Sequence, residues 1–115
     1  HQIKKYEKIP TVITEEFAEA MLRIDFEYAI RIVEKQTGFN RYEEPNKVLA
    51  LANFVFNLGS GNFQSSTMLK NIKHNLPIDN EIIRWNKMKV GDSYVVSSHL
   101  KMRRNYELQL YNNIA

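Results

Sequence analysis

The chain has 115 residues, a length that suits one domain, and 43 % of them are hydrophobic and 25 % charged, as in ordinary globular proteins. It has no cysteine, which excludes a disulfide framework and a thiolate metal site, and no apolar run long enough to span a membrane. The formal charge of +3 fits either a mildly basic protein or one with an anionic partner such as nucleic acid, lipid or a wall polymer, and the lack of a dense Lys/Arg stripe disfavours nucleic acid.

The first predicted element is a long amphipathic helix that follows irregular or extended chain at residues 1–13. Thr14 can cap it, and Gly38 can end it because glycine tolerates the left-handed conformation. Apolar residues recur at helical spacing and define its predicted inward face: Phe17, Met21, Ile24, Tyr28 and Ile32.

A second helix is predicted from Pro45 to Leu58. Its apolar residues lie almost all round the helix, which places it in the middle of the core. The polar exceptions Asn46, Asn53 and Asn57 share roughly one edge.

The remaining chain predicts three more helices and almost no β-structure. Residues 59–62 are expected to form a turn. Three helices are expected after it, and their candidate caps are Ser65 or Ser66, Asp79 or Asn80, and Ser97 or Ser98. The last helix is expected to turn Leu100, Leu108, Leu110 and Tyr111 inward. Its Arg103, Arg104 and Glu107 are expected to form ordinary ion pairs along a helix face. Residues 94–96 are the one short β-like run, so we expect a mostly α bundle of about five helices.

Asp25 is the first residue that could carry chemistry. Its neighbours three and four positions away are Met21, Leu22, Tyr28 and Ala29. A carboxylate on that face would be partly buried and would need a partner, unless the helix is rotated and Asp25 is solvated.

The other chemical residue types give no recognisable catalytic or metal motif. The spacing of His1, His74 and His99 does not resemble a metal site, and no Gly-x-Ser-x-Gly elbow is present. Residues 59–61 are too short for a phosphate loop. We therefore expect no metal and no cofactor.

Two adjacent segments carry a family resemblance. Residues 51–59 read Leu-Ala-Asn-Phe-Val-Phe-Asn-Leu-Gly, and residues 61–70 read Gly-Asn-Phe-Gln-Ser-Ser-Thr-Met-Leu-Lys. Together they resemble the central segment of phage-type lysozymes, which are the endolysins or muramidases of tailed phages. Residues 13–16, 22–25 and 83–86, and the Leu-x-x-Arg-Arg-x-x-Glu pattern at 100–107, agree in order and spacing, so the resemblance covers nearly the whole chain.

The resemblance implies the helical lobe of a peptidoglycan hydrolase, with the small β-hairpin lobe largely missing. Residues 1–115 would be one lysozyme-like domain, in which 1–13 are the remnant of the N-terminal lobe and 14–115 the helical lobe. The reaction implied is hydrolysis of the β-1,4 bond between N-acetylmuramic acid and N-acetylglucosamine, with inversion by a Glu/Asp pair. His1 resembles the histidine that ends the family's hairpin, so the catalytic Glu, Asp and Thr are expected before residue 1, and this chain alone is expected to be inactive.

The same resemblance assigns roles to residues within the chain. His1 and Asp25 would form a structural ion pair. Substrate-binding positions would be Gln2, Asn53, Phe56, Asn57 and Ser66, although Phe56 could simply be core and Asn57 a cap before Gly59. Arg84 and Trp85 could add to the cleft, or Trp85 could be a buried anchor.

Partners and location are likewise implied by the resemblance. A monomer would be made in the bacterial host cytoplasm and would act on peptidoglycan in the periplasm, without stable membrane insertion and without nucleic acid. The alternative is a non-catalytic peptidoglycan-binding or virion module with the same fold.

Overall fold

The computed structural model describes residues 15–113, with side chains from residue 19 onward. Within that range six helices and one hairpin follow each other along the chain. They are α1 (Glu15–Thr37), α2 (Pro45–Leu58), α3 (Ser60–Gln64), α4 (Thr67–Lys73), α5 (Asp79–Ile82), β1 (Lys87–Val90), β2 (Ser93–Val96) and α6 (Ser98–Tyr111). The prediction of a mostly helical, lysozyme-like fold is confirmed.

Helix α1 is rotated relative to the face predicted for it. Ala29 and Val33 are buried, whereas Ile24 and Tyr28 are 63 % and 61 % exposed. The inward stripe therefore runs through Phe26, Ala29, Ile30 and Val33, at spacings of three, one and three residues. The predicted face was wrong for Ile24 and Tyr28, whereas Met21 and Ile32 are half-buried. Ala29 and Val33 were missed because they are small and contribute little to a count of large apolar side chains.

Helix α2 is the centre of the molecule, and it packs against α1 on one side and α6 on the other. Pro45 occupies its first turn, where no amide donor is needed, and Gly59 ends it at φ 94°. Six of its fourteen residues are buried, so the prediction of a central helix is confirmed. They are Val48, Ala50, Leu51, Ala52, Phe54 and Val55.

The short helices α3 to α5 close one end of the core. Most of the turn predicted at residues 59–62 belongs to α3, which places Phe63 in the core with its ring centroid 6.2 Å from that of Phe54. Met68, Leu69 and Ile72 from α4 and Ile82 from α5 fill the same cluster. No helix within residues 15–113 is both long enough and apolar enough to cross a bilayer.

The β-hairpin is more extensive than the sequence predicted. The β-like run at 94–96 pairs antiparallel with residues 87–90, in a register that aligns Lys87 with Val96 and Val90 with Ser93. Gly91 makes the two-residue turn possible at φ 61°. Both strands are exposed along their length. The partner strand was missed although Lys87-Met88-Lys89-Val90 alternates polar and apolar residues, because four residues are the shortest run in which such an alternation indicates a strand.

A charge cluster joins α1 to the connection that follows it. The Arg41 guanidinium donates to the carboxylates of Glu27 and Glu34 at 2.9–3.1 Å. These bonds lower the pKa of both glutamates and raise that of Arg41. The fork of Arg41 thus holds residues 38–44 against α1.

Candidate saccharide-binding site

The C-terminal half of α2 carries three of the residues predicted to bind substrate. Asn53 and Asn57 are one helical turn apart, and Phe56 lies beside them. Phe56 remains 37 % exposed and meets Phe26 of α1 edge to face, with centroids 5.8 Å apart. The three side chains therefore form one stripe that is partly open to solvent.

An open groove of about 310 Å³ lies between α2 and α6. Asn53 lines it from α2, and His99, Met102, Arg103 and Tyr106 line it from α6. The Asn53 Oδ1 atom is buried and has no hydrogen-bond partner among residues 15–113. A buried amide oxygen without a partner is costly, so a turn of the Asn53 side chain that brings this oxygen to a donor would be favourable.

Ser66 does not line this groove, and its side chain has a structural role. Its side chain is buried, and its Oγ accepts from Leu69 N at 3.1 Å and donates to Phe63 O at 2.7 Å. It is the N-cap of α4. The hydroxyl proton is thus used within the protein. Of the two candidate caps, Ser65 and Ser66, the structure uses Ser66.

Two predictions fall on residues outside the described range. Gln2, predicted to bind substrate, and His1, predicted to pair with Asp25, both precede residue 15. Asp25 itself is exposed, so the expected partial burial is wrong. The reason is the rotation of α1, which turns the neighbouring Leu22 and Tyr28 to solvent as well.

The two histidines within the described range are both exposed, and they lie far apart along the fold. His74 follows α4, where its Nδ1 lies 2.8 Å from Lys70 O, and His99 is in the first turn of α6. No group of three His, Asp or Glu side chains in residues 15–113 could hold a metal ion.

Beneath the stripe lies a buried ion pair that sequence reasoning placed on the surface. Arg104 and Glu107 are both fully buried. The Arg104 Nη2 atom donates to Glu107 Oε2 at 2.8 Å and to Asn57 Oδ1 at 2.9 Å. Its Nε lies 2.7 Å from Glu107 Oε1 without the alignment of a hydrogen bond. The expectation of ordinary ion pairs along a helix face is therefore wrong for Arg104 and Glu107.

Two further groups fix the plane of the guanidinium. Arg104 Nη1 donates to Trp85 O at 3.4 Å, and its Cζ lies 5.1 Å from the centroid of the Phe54 ring. Burial raises the pKa of Glu107 to about 7, against the opposing effect of Arg104. Burial lowers the pKa of Arg104, opposed by the charge of Glu107.

A signal for this buried pair is present in the sequence. Leu100, Leu108 and Tyr111 were predicted to point inward, and they are half-buried. Arg104 and Glu107 are four and seven residues after Leu100, so they lie on the same inward face of α6. The positions of Arg104 and Glu107 therefore indicated burial, but they were assigned to the surface because both residues are charged.

Trp85 is an anchor of the core and does not contribute to the groove. It is half-buried, with its ring perpendicular to Phe54 and the centroids 5.5 Å apart. The Arg84 side chain is 73 % exposed beside Glu81, at 3.8 Å. Of the two interpretations for Trp85, the structure favours the anchor.

Comparisons with known proteins agree with this architecture. The family model described as Phage lysozyme matches residues 1–107. An endolysin of Acyrthosiphon pisum secondary endosymbiont phage 1 is 32 % identical over 107 residues, which are 91 % of this chain and 72 % of that protein.

Solved structures give the same relationship. The endolysin from Escherichia coli O157:H7 phage FAHEc1 superposes with a TM-score of 0.78 at 28 % identity, covering 94 % of this chain and 68 % of that one. The muramidase domain of SpmX from Asticaccaulis excentricus has a TM-score of 0.74 at 25 % identity, covering 86 % and 67 %. With the family match over residues 1–107, these relationships show that the chain belongs to the phage lysozyme family.

Proposed function

We propose that this chain is the saccharide-binding part of an endolysin that hydrolyses the β-1,4 bond between N-acetylmuramic acid and N-acetylglucosamine in peptidoglycan. The observation that carries the proposal is the groove between α2 and α6, which is lined by Asn53 from α2 and by Arg103 and Tyr106 from α6. The endolysin and muramidase relatives supply the class of substrate.

The groups along the groove and stripe suit an acetylated sugar polymer. An amide both donates and accepts, which matches sugar hydroxyls and acetamido groups. The exposed part of Phe56 and the ring of Tyr106 offer apolar faces for pyranose rings. Arg103 adds positive charge toward the carboxylates of a wall polymer.

Hydrolysis of a glycosidic bond by this mechanism requires two carboxyl groups, one as general acid and one to activate water, and the residues that line the groove include no carboxylate. Glu107 has the raised pKa of a general acid, but its side chain is fully buried and cannot touch a substrate. We propose that a Glu, an Asp and a Thr before His1 provide this chemistry, as the family resemblance implies. In an inverting enzyme the two carboxyl groups lie about 6.5–9.5 Å apart, with the attacking water between them.

We place the activity at the cell wall. A protein made in the host cytoplasm would reach the periplasm and act there on peptidoglycan as a monomer. A basic chain with a formal charge of +3 is suited to an anionic wall polymer.

Turbidity clearing of chloroform-treated Gram-negative cells tests the proposal. The 115-residue chain is compared with a form extended by the residues that precede His1 in its gene. We expect only the extended form to clear the cells, while both forms sediment with purified sacculi. Clearing by the short chain would contradict the placement of the catalytic residues, and sedimentation without clearing by either form would favour a non-catalytic wall-binding module.

A further inference from the structure

The pair formed by Arg104 and Glu107 is more costly than a core of this size requires. Both side chains are fully buried, and a buried ion pair is often no more stabilising than apolar side chains of similar volume. Its contacts point to another use. The only side-chain amide that the guanidinium reaches within residues 15–113 is that of Asn57, at 2.9 Å.

The bond to Arg104 determines which way the Asn57 amide faces. An arginine has only donors, so the amide must turn its oxygen inward to Arg104. Asn57 is an exposed residue, and its Nδ2 donates to no group among the described residues. The NH₂ group is thus left to face outward on the stripe that also carries Asn53 and Phe56.

Glu107 and Phe54 make that orientation rigid. Two contacts of 2.7 and 2.8 Å hold the guanidinium to the Glu107 carboxylate, and the Phe54 ring lies against its plane. A surface asparagine samples both amide orientations, so a fixed one removes an entropic cost of binding. The fixed partner must also be buried, because water competes for an exposed guanidinium.

We infer that Arg104 and Glu107 are positioning residues that hold the Asn57 amide with its NH₂ group ready to donate to an oxygen of the glycan. This inference rests on the proposed function and adds the device that sets one donor of the saccharide site. Neither Arg104 nor Glu107 touches the glycan in this arrangement.

A double-mutant cycle tests the inference. Asn57→Ala is made in the unsubstituted chain and in a variant that carries Arg104→Met and Glu107→Leu. Affinity is measured by calorimetry with peptide-free glycan strands released from sacculi. We expect Asn57→Ala to weaken binding about fivefold in the first background, the effect of one hydrogen bond, and to have no effect in the second. An equal loss in both backgrounds would overturn the inference.

Nuclear magnetic resonance of the Asn57 side-chain ¹⁵NH₂ group gives a readout that needs no glycan. We expect an ordered amide in the unsubstituted chain and a mobile one in the Arg104→Met/Glu107→Leu variant. The matched control is Arg84→Met/Glu81→Leu, which removes a pair of the same residue types at the same spacing whose arginine is 73 % exposed. It should leave the Asn57 amide ordered.

The remaining outcomes are also decisive. An ordered Asn57 amide in the variant that lacks the buried pair would overturn the inference, whatever the affinity. If that variant does not unfold cooperatively, Arg104→Lys replaces it, because lysine has no fork to reach both Asn57 and Glu107. A failure of the unsubstituted chain to bind glycan would contradict the proposed function instead, and the amide readout separates the two failures.

Discussion

The Nη2 atom of Arg104 donates to Oδ1 of Asn57 at 2.9 Å across 47 positions of sequence. This bond joins α6 to α2 at the point where the core meets the stripe of candidate saccharide-binding residues. The orientation of an exposed side chain is thereby set by a fully buried one. We therefore expect stability and substrate binding to be coupled at this point of the fold.

Glu107 makes the stability of the chain depend on pH. Burial raises its pKa from 4.5 to about 7. Between these pH values the native chain holds a proton that the unfolded chain has released, so raising the pH favours unfolding. We expect stability relative to Glu107→Gln to fall as the pH rises from about 4.5 to about 7 and to be level on either side.

Urea unfolding at a series of pH values measures this difference. Glu107→Gln is the reference because its amide keeps the size of the side chain and an acceptor for Arg104 without titrating. A stability difference that stays constant from pH 4 to pH 8 would contradict the raised pKa.

Ser66→Ala should destabilise the chain by about 1 kcal/mol, because it removes the N-cap of α4. The control is Ser65→Ala, whose exposed hydroxyl donates to Gly61 O at 3.0 Å at the C-terminal end of α3 and accepts from no helix N-terminus. We expect the control to change stability by less than about 0.5 kcal/mol. Thermal unfolding compares the two, and an equal effect of both substitutions would remove the special role of Ser66.

Arg41→Met should lower the melting temperature more than Arg23→Met. Arg41 has bonds of 2.9–3.1 Å to two carboxylates, whereas Arg23 lies 3.9 Å from Glu19 and is 72 % exposed. The lowered pKa values of Glu27 and Glu34 give stability that is present above about pH 4.5 and is lost as the pH falls. The difference between the two variants should therefore shrink in acid and in high salt. A difference insensitive to both would mean that Arg41 acts through its hydrocarbon stem.

Asn53→Ala should weaken sedimentation with purified sacculi about fivefold, because it removes the amide that α2 contributes to the groove. Asn46→Ala is the matched control on the same helix, because Asn46 Nδ2 donates to Asn113 Oδ1 at 2.6 Å, away from the groove. Stability of both variants is checked by thermal unfolding. Equal retention of Asn53→Ala and the unsubstituted chain would exclude Asn53 from the site.

The sequence was most informative where punctuation and apolar content agreed. Pro45 and Gly59 predicted both ends of α2, and its nearly continuous apolar surface predicted a central position. Ser97 was expected among the caps of the last helix, and its Oγ accepts from Leu100 N at 3.2 Å. Helix ends, caps and apolar content depend on neighbouring residues, so they can be predicted from the sequence.

The rest depends on contacts between distant parts of the chain. The inward face of α1 is decided by the small residues Ala29 and Val33, which fit against α2. Burial of Arg104 is possible only because Glu107, Asn57 and Trp85 O surround it. Helical spacing can place Arg104 on an inward face, but it does not show that these three partners will surround it after folding. The candidate site depends on those contacts.

Analysis of the glycan ends released from purified sacculi identifies the bond that the enzyme cleaves. The extended form of the chain is used, and the products are reduced with borohydride and identified by mass spectrometry. A muramidase leaves N-acetylmuramic acid at the new reducing ends, and we expect this product. Reducing N-acetylglucosamine ends or anhydro ends would contradict it, because either would mean that a different bond or a different reaction is the target of this fold.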